Sequence, residues 1–379
     1  RLREQIREED LLARWGGDEF ILALIGSANT DVLESKATAL LTAVKTPLTL
    51  AGNEVSVSVS IGIAQYPACG STAGDLVRCG DLAMFRAKKN GRNNFQFFTL
   101  DMEKKANERF NYKNDLRRAL SNEEFFLEYQ PQIDVNTGLI CGVEALVRWL
   151  HPERGRVAPI EFIPIMENTG MIVDLGEWVL KQACQQNRLW QSLGCPPMRI
   201  AVNLSGRHFL QKNFSVYVSA ILNETGLAAE YLELEITETV LAEDTEQCVK
   251  VMDELKEFGV KLSVDDFGTG YSSLSYLKSF PIDLLKIDRS FVDQCDINSE
   301  DGALCSAIIA LAKNLRLKTI AEGVETPEQL RFLQSYGCDY YQGYLFSKPV
   351  CADDISKLLF GKVNNLVAET KTNDETSLR

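Results

Sequence analysis

Histidine is almost missing from this chain: His151 and His208 are the only two in 379 residues. A zinc site built on imidazole is therefore excluded, because such sites draw on several His or Cys ligands. Paired cysteines are missing too. The ten cysteines form no CxxC pair, and most, such as Cys184 in KQACQQ and Cys305 in ALCSAII, lie in apolar or helical context. They read as reduced core residues in a cytoplasmic-type compartment. No uninterrupted apolar run is long enough to cross a bilayer and the first residues are charged, so neither a signal peptide nor membrane contact is expected of this chain. Membrane anchoring of a longer parent protein stays open. Positive charge is in deficit: 40 Lys and Arg against 53 Asp and Glu give a net charge of -13. That argues against broad nucleic-acid binding, which rests on clustered cations. A small anionic ligand held through a metal is still allowed, and any such metal must be held by oxygen.

What is present is a soluble balance, 45% apolar and 25% charged, in a chain long enough for two domains or for a large barrel with an appendage. Residues 1–99 alternate strand and helix signals: LLARWGGDEFILALI as a hairpin, DVLESKATALLTAV as a helix, EVSVSVSIGIAQY as a strand, AGDLVRCGDLAMFRAKKNG as a helix and NNFQFF as a short strand. Residues 100–120 are charged and lack Gly and Pro, which suits a solvated linker helix. The tail 362–379 has little apolar content and is expected to be disordered.

Residues 121–361 are more regular. Strand-like runs recur at FFLEYQPQI, CGVEALVRW, RIAVNLS, YLELEITET, KLSVDDF, LLKID, KTIAEGVE and YYQGYLF, with helical segments between all but the first two. The expectation is an α/β fold, a (β/α)8 TIM-like barrel. The short turn around Gly138 between the first two strands makes that pair antiparallel.

Polar residues fall at or near most of these strand ends: Glu144, Asn203, Glu235 and Glu238, Asp265 and Asp266, Lys286 and Asp288, Glu322 and Glu325, and Gln342. In such a barrel those ends converge on one face. Clustered carboxylates repel one another, and divalent metals relieve this; an all-oxygen shell suits Mg²⁺, Mn²⁺ or Ca²⁺. The adjacent Asp265 and Asp266 in particular suit a two-metal site, and phosphodiester hydrolysis is the reaction class such a site performs. Each residue alone has a plainer reading. Glu233 on the LELE alternation is discounted as a solvated strand face. Asp288 beside Arg289 fits a surface ion pair, Asn203 before Ser205 fits a helix cap, and Glu325 fits a residue preceding a helix capped by Thr326 with Pro327 in its first turn. Recurrence over six or seven strand ends favours the site.

EALVRW, NLS, EITE, DDFGTGYSSL, LKIDRSFV, AEGVET and QGYLFSKP resemble, in this order, the EAL domain of bacterial cyclic di-GMP phosphodiesterases. The resemblance implies a (β/α)8-type barrel with one antiparallel strand, hydrolysis of cyclic di-GMP to linear pGpG by a water activated between two Mg²⁺ or Mn²⁺ ions, and a homodimer formed through this domain. It also implies that Glu144, Asn203, Glu235 and Asp265 ligate one metal, and that Asp265, Asp266 and Glu322 serve the second. By the same resemblance Lys286 lies near the attacking water, and Glu322 and Glu238 belong with it in the catalytic group. Glu238 anchors the DDFGTGYSS loop. Leu146, Arg148, Asp288, Gln342 and Glu325 are set as substrate contacts, Arg148 on a phosphate. The alternative is a catalytically silent cyclic di-GMP receptor; the complete carboxylate set disfavours it.

The first part resembles a GGDEF, or diguanylate cyclase, domain: RWGGDEFILAL carries the signature Gly16, Gly17, Asp18, Glu19 and Phe20, and Arg7 and Asp10 have the spacing of that family's RxxD product-inhibition site. The chain opens shortly before the signature. A partial α+β domain is therefore expected, without the family's first strand and helix, with apolar edges exposed and with no capacity to condense GTP.

Overall fold

The computed structural model describes residues 1–26, 29–50, 53–243, 245–268, 277, 279–295 and 300–360. The expected disordered tail lies outside these residues, as does most of the DDFGTGYSS loop. The chain divides into two compact units, Arg1–Tyr112 and Lys113–Arg379.

In the first unit β1 (Leu11–Gly16) and β2 (Glu19–Ala23) form the expected hairpin. Helices α1 (Thr30–Lys45) and α2 (Ala73–Lys89) follow, the second opened by a capping box of Thr72 and Asp75. EVSVSVSIGIAQY is not one strand. Its start is β4 (Asn53–Val55), paired with β3 (Leu48–Leu50), and its end is β5 (Ile61–Ile63), parallel to β6 (Phe95–Phe97). The alternation is real, but a strand exists only where a neighbour accepts its hydrogen bonds, and no described strand lies beside residues 56–60. The described strands of this unit pair only in twos, and Leu11, Trp15 and Phe20 are exposed.

Helix α3 (Leu100–Ser121) leads into the second unit. It is not solvated throughout, as Leu116 and Ala119 are fully buried. Three residues apart, they share a helix face, and this short apolar seam is hidden in a segment of otherwise charged composition.

The second unit is a closed barrel. Its strands are β7 (Phe125–Asp134), β8 (Ile140–His151), β10 (Arg199–Leu204), β11 (Leu232–Thr237), β12 (Lys261–Phe267), β13 (Leu284–Ile287), β14 (Lys318–Ala321) and β15 (Tyr340–Tyr341). All neighbours are parallel except β7, which runs against both β15 and β8 and closes the ring. A short β9 (Gly155–Val157), not foreseen from sequence, extends the outer end of β8. The last two strands are shorter than their apolar runs, since the residues after Ala321 and Tyr341 turn away into the loops that build the upper face.

Every residue of LELEI in β11 is buried. Glu233 is therefore not on a solvated face: it is 1% exposed and bonded to Arg199 at 2.9 Å. In a barrel the outward side of a strand meets helices and the inward side meets other strands, so an alternating pattern here separates an apolar outer face from a polar interior. Outside β7 and β8, Phe125, Trp149, Phe162 and Trp178 form an aromatic cluster, with ring centroids 5.6 to 6.4 Å from Phe125. Phe125, Trp149 and Phe162, which are buried, each stabilise the fold by roughly 1.5–3 kcal/mol through burial alone, and half-buried Trp178 by less.

Candidate active site

That Asp265 and Asp266, adjacent in sequence, serve one site has a backbone explanation. In a regular strand Asp265 and Asp266 would point to opposite faces. Here the pairing of β12 with β13 slips between Val264 and Phe267, inserting one extra residue, and Asp266 adopts a positive φ of 53°. A bulge with a left-handed residue turns the second carboxylate back toward the first. Asp265, Asp266 and Glu322 consequently offer oxygens that all lie within 4.8 Å of one another. Gly268, at φ 99°, completes the turn: a Cβ there would lie 2.9 Å from the Phe291 ring, and its N–H donates to Glu238 at 2.9 Å. Glu238 thus holds the root of the loop; the loop beyond Gly268 lies outside the described residues.

At the centre stands Lys286, 1% exposed. Its Nζ lies 2.6 Å from Glu322, 2.7 Å from Glu235, 3.0 Å from Asp265 and 3.8 Å from Glu144. Burial opposes its charge, yet Asp265, Glu144, Glu235 and Glu322 outweigh burial and hold the ammonium well above the ordinary lysine range. Burial drives the Glu235 carboxyl well above its ordinary value, with Lys286 opposing and Glu144 and Asp265 reinforcing the rise. Burial likewise lifts Glu322 to about 8 against the pull of Lys286, and raises Asp266 with help from Asp265. One ammonium does not neutralise this many carboxylates, so the cluster is short of positive charge.

The remaining oxygens are arranged around Glu144. Asn203 donates through Nδ2 to Glu144 Oε1 at 2.6 Å, leaving its carbonyl oxygen available. Gln342 donates to Glu144 Oε2 and, at 2.9 Å, to Gln130. Among the described residues the buried Oε1 atoms of Glu235 and Gln342 have no hydrogen-bond partner, so both are available to a cation or water at this site. Among the described residues Asp265, Asp266 and Glu322 bring three carboxylate oxygens close enough to hold one divalent cation; Glu144, Asn203, Glu235 and Asp265, gathered around Lys286, are the residues that would hold another. An oxygen-only shell suits a hard cation such as Mg²⁺, Mn²⁺ or Ca²⁺.

The proposed ligand contacts are less uniform. Leu146 and Arg148 follow Glu144 at two-residue steps on the same face of β8, so all three point into the barrel mouth. Arg148 is held by Glu128 at 2.8 Å. Asp288 caps the helix Arg289–Val292, accepting from the Ser290 amide at 3.0 Å, and Glu325 pairs with Arg289 at 3.0 Å rather than entering the carboxylate cluster. Thr326 does cap the next helix, with Pro327 in its first turn, and Ser205, not Asn203, caps Gly206–Phe209. Gln130 and Glu128 were missed from sequence. Because β7 is reversed, its site residues sit before its end, where a search of strand C-termini does not look; the FLEYQ alternation was the available signal.

In the first unit, Gly16 to Phe20 occupy the β1–β2 turn, where Gly17 takes a φ of 51° and accepts from Arg14. Asp10 is buried and accepts from the amides of Arg7 at 2.9 Å and Ile25 at 3.0 Å, which hold its carboxyl below its usual range. It fastens the start of the unit, while Arg7 is exposed and paired with Glu9 at 3.6 Å. No helix among the described residues is long and apolar enough to cross a membrane.

Residues 113–349 match the family model of the EAL domain, and residues 1–94 match that of the diguanylate cyclase, GGDEF domain. The bifunctional diguanylate cyclase/cyclic di-GMP phosphodiesterase MucR of Pseudomonas aeruginosa is 42% identical over 94% of this chain and 52% of its own length. The cyclic di-GMP phosphodiesterase NbdA of the same organism is 40% identical over 92% of this chain and 45% of its own length. This chain thus spans about half the length of the curated relatives it matches. Among solved structures, the PaMucR phosphodiesterase in complex with c-di-GMP is 44% identical, with a TM-score of 0.63, covering 65% of this chain and 99% of that one.

Proposed function

Since this chain belongs to the EAL domain family through residues 113–349, we propose that its barrel is a metal-dependent phosphodiesterase hydrolysing cyclic di-GMP to linear pGpG. The observation that carries this reading is the convergence of Glu144, Glu235, Asp265 and Glu322 on Lys286, with Asp266 turned by the β12 bulge to the same side. The phosphodiesterase names of MucR and NbdA support it.

When bound, two divalent cations supply Lewis acidity that makes a water acidic and offsets charge on the phosphate oxygens. This chain's residues do the rest. Glu144 and Asp265, 3.8 and 3.0 Å from Lys286 Nζ, would hold the cations against which the phosphate rests. Asn203 and Gln342 orient the two oxygens of Glu144. Lys286 keeps its proton and presents Nζ to negative charge growing on the phosphorus oxygens. Glu322, 2.6 Å from Lys286, holds its carboxylate beside the ammonium, where the two together orient the attacking water. Arg148 and Leu146 receive the remainder of the ligand at the barrel mouth, with Asp288, Gln342 and Glu325 at its border. Assembly as a homodimer through this unit belongs to the same proposal.

A receptor that only senses the nucleotide has no need for paired cation positions. Incubating the chain with cyclic di-GMP and Mg²⁺ or Mn²⁺ and separating the nucleotides is expected to give pGpG, with turnover reduced roughly 100-fold or more in Glu144→Ala. Tight binding without product under either metal would favour the receptor.

A further inference from the structure

We propose that Glu128 and Arg156 are positioning residues that aim Arg148, the phosphate contact the family resemblance implies, at the second phosphate of the ligand, one layer above the carboxylate floor. The inference rests on the phosphodiesterase reading and extends it to how a dinucleotide with two phosphates is told from an ordinary phosphodiester.

Register fixes the layers. On the antiparallel pair β7–β8, Gln130 faces Glu144, Glu128 faces Leu146 and Phe126 faces Arg148. Glu128 is therefore two residues, about 7 Å, above the pair that carries the floor carboxylate. It accepts Arg148 Nε at 2.8 Å, and the Val147 carbonyl accepts Nη1 at 3.0 Å. Arg148 is only 20% exposed, and its Nη2 has no partner among the described residues. Two of the guanidinium's faces are thus used to aim it, and one edge is left to a ligand. A planar fork of this kind matches phosphate oxygens.

Charge decides what that edge prefers. Alone, Glu128 would cancel Arg148. Its other oxygen, Oε1, is taken by Arg156 Nη2, and the Arg156 guanidinium lies 5.3 Å from the centre of the Phe126 ring. Two guanidinium groups share one carboxylate, so the group keeps a positive charge beside an acidic floor. The short β9 exists where it can deliver this second cation: Arg156 faces Leu150 across the β8–β9 pair. A phosphate resting on the floor lies a layer below the clamp, so the clamp meets the other one. Glu128 and Arg156 act here as positioning residues for Arg148.

The test compares cyclic di-GMP with bis(p-nitrophenyl) phosphate, which has one phosphodiester, in the parent chain, Glu128→Ala, Glu128→Gln, Arg156→Gln, Arg148→Gln and the double variant Glu128→Ala/Arg148→Gln. Glu128→Ala should raise KM for cyclic di-GMP about 10-fold, the loss of one charge-assisted hydrogen bond, with kcat within about twofold and the melting temperature unchanged. Glu128→Gln should recover part of that KM, Arg156→Gln should give a smaller, salt-sensitive rise, and KM for the small diester should not move. The double variant should be no worse than Arg148→Gln. An unchanged KM in Glu128→Ala, equal losses on both substrates, or additive effects in the double variant would overturn the clamp. Where the small diester is not turned over, the double variant decides the question on cyclic di-GMP alone. A parent chain that hydrolyses neither substrate would instead remove the phosphodiesterase reading, and the clamp with it.

Discussion

Asp266 is where backbone strain and charge repulsion coincide. A non-glycine residue in the left-handed region costs about 1 kcal/mol or more, though aspartate and asparagine tolerate it best, and Asp266 adds an exposed charge directly beside Asp265. Asp266→Asn keeps the backbone preference and removes the charge. Because solvent screens this exposed carboxylate, the substitution should raise the melting temperature in cation-free buffer only slightly, by about 1 °C, while hydrolysis with Mg²⁺ or Mn²⁺ is lost; a fall in melting temperature would show that the Asp266 charge does not oppose folding. Glu322 gives a pH signature of the same conflict. Its folded pKa of about 8 lies above its ordinary value of 4.5, so the folded chain holds a proton that the unfolded chain has released. Stability must then fall as pH rises between those values. Thermal unfolding in EDTA should show this fall, and Glu322→Gln should make it shallower, the raised Glu235 and Asp266 carboxyls supplying the rest. Mg²⁺ or Mn²⁺ should flatten the fall, because a bound cation takes the place of the proton. The carboxylates themselves were legible, each being a polar residue at the end of an apolar strand. The left-handed turn of Asp266 was not, because nothing in DDFG states which neighbouring strand will slip.

The elements explain which contacts the sequence concealed. Six of the barrel strands carry their site residues at or just beyond their C-terminal ends, long β8 carries Glu144 in its middle, and reversed β7 brings its interior residues to the same face from earlier positions. Gln130 and Glu128 were invisible to a rule that holds only for parallel strands. The same ambiguity hid Glu233, since an alternating strand has the same pattern whether its polar side meets solvent or a polar interior. Beyond β15 the chain passes so close to its neighbour that Gly343 is obligatory: a Cβ there would sit 2.1 Å from the Val324 carbonyl oxygen. Around it, the Val324 amide donates to Gln342 at 3.1 Å and the Leu345 amide donates to Val324 at 3.0 Å. Gly343→Ala must force these segments apart. It should destabilise the barrel by about 1–3 kcal/mol and lower kcat by displacing Gln342 from Glu144; unchanged unfolding and turnover would mean that the loops yield without cost.

Across the whole molecule, barrel order, the antiparallel first pair and the gathering of distant motifs onto one face all followed from strand periodicity and one short turn. In the first unit periodicity was a poorer guide, because a strand signal such as EVSVSVSIGI has no fixed outcome until its neighbours are known. The central claim is that the carboxylate floor uses two cations to place a water against a phosphodiester of cyclic di-GMP. Turnover in ¹⁸O-labelled water, with Mg²⁺ or Mn²⁺ and with Glu144→Ala alongside, tests it most directly by mass spectrometry of the nucleotides. The expected result is pGpG carrying one ¹⁸O on its terminal phosphate, formed only with cation and only by the parent chain. Cyclic di-GMP bound and recovered intact under both cations would contradict it.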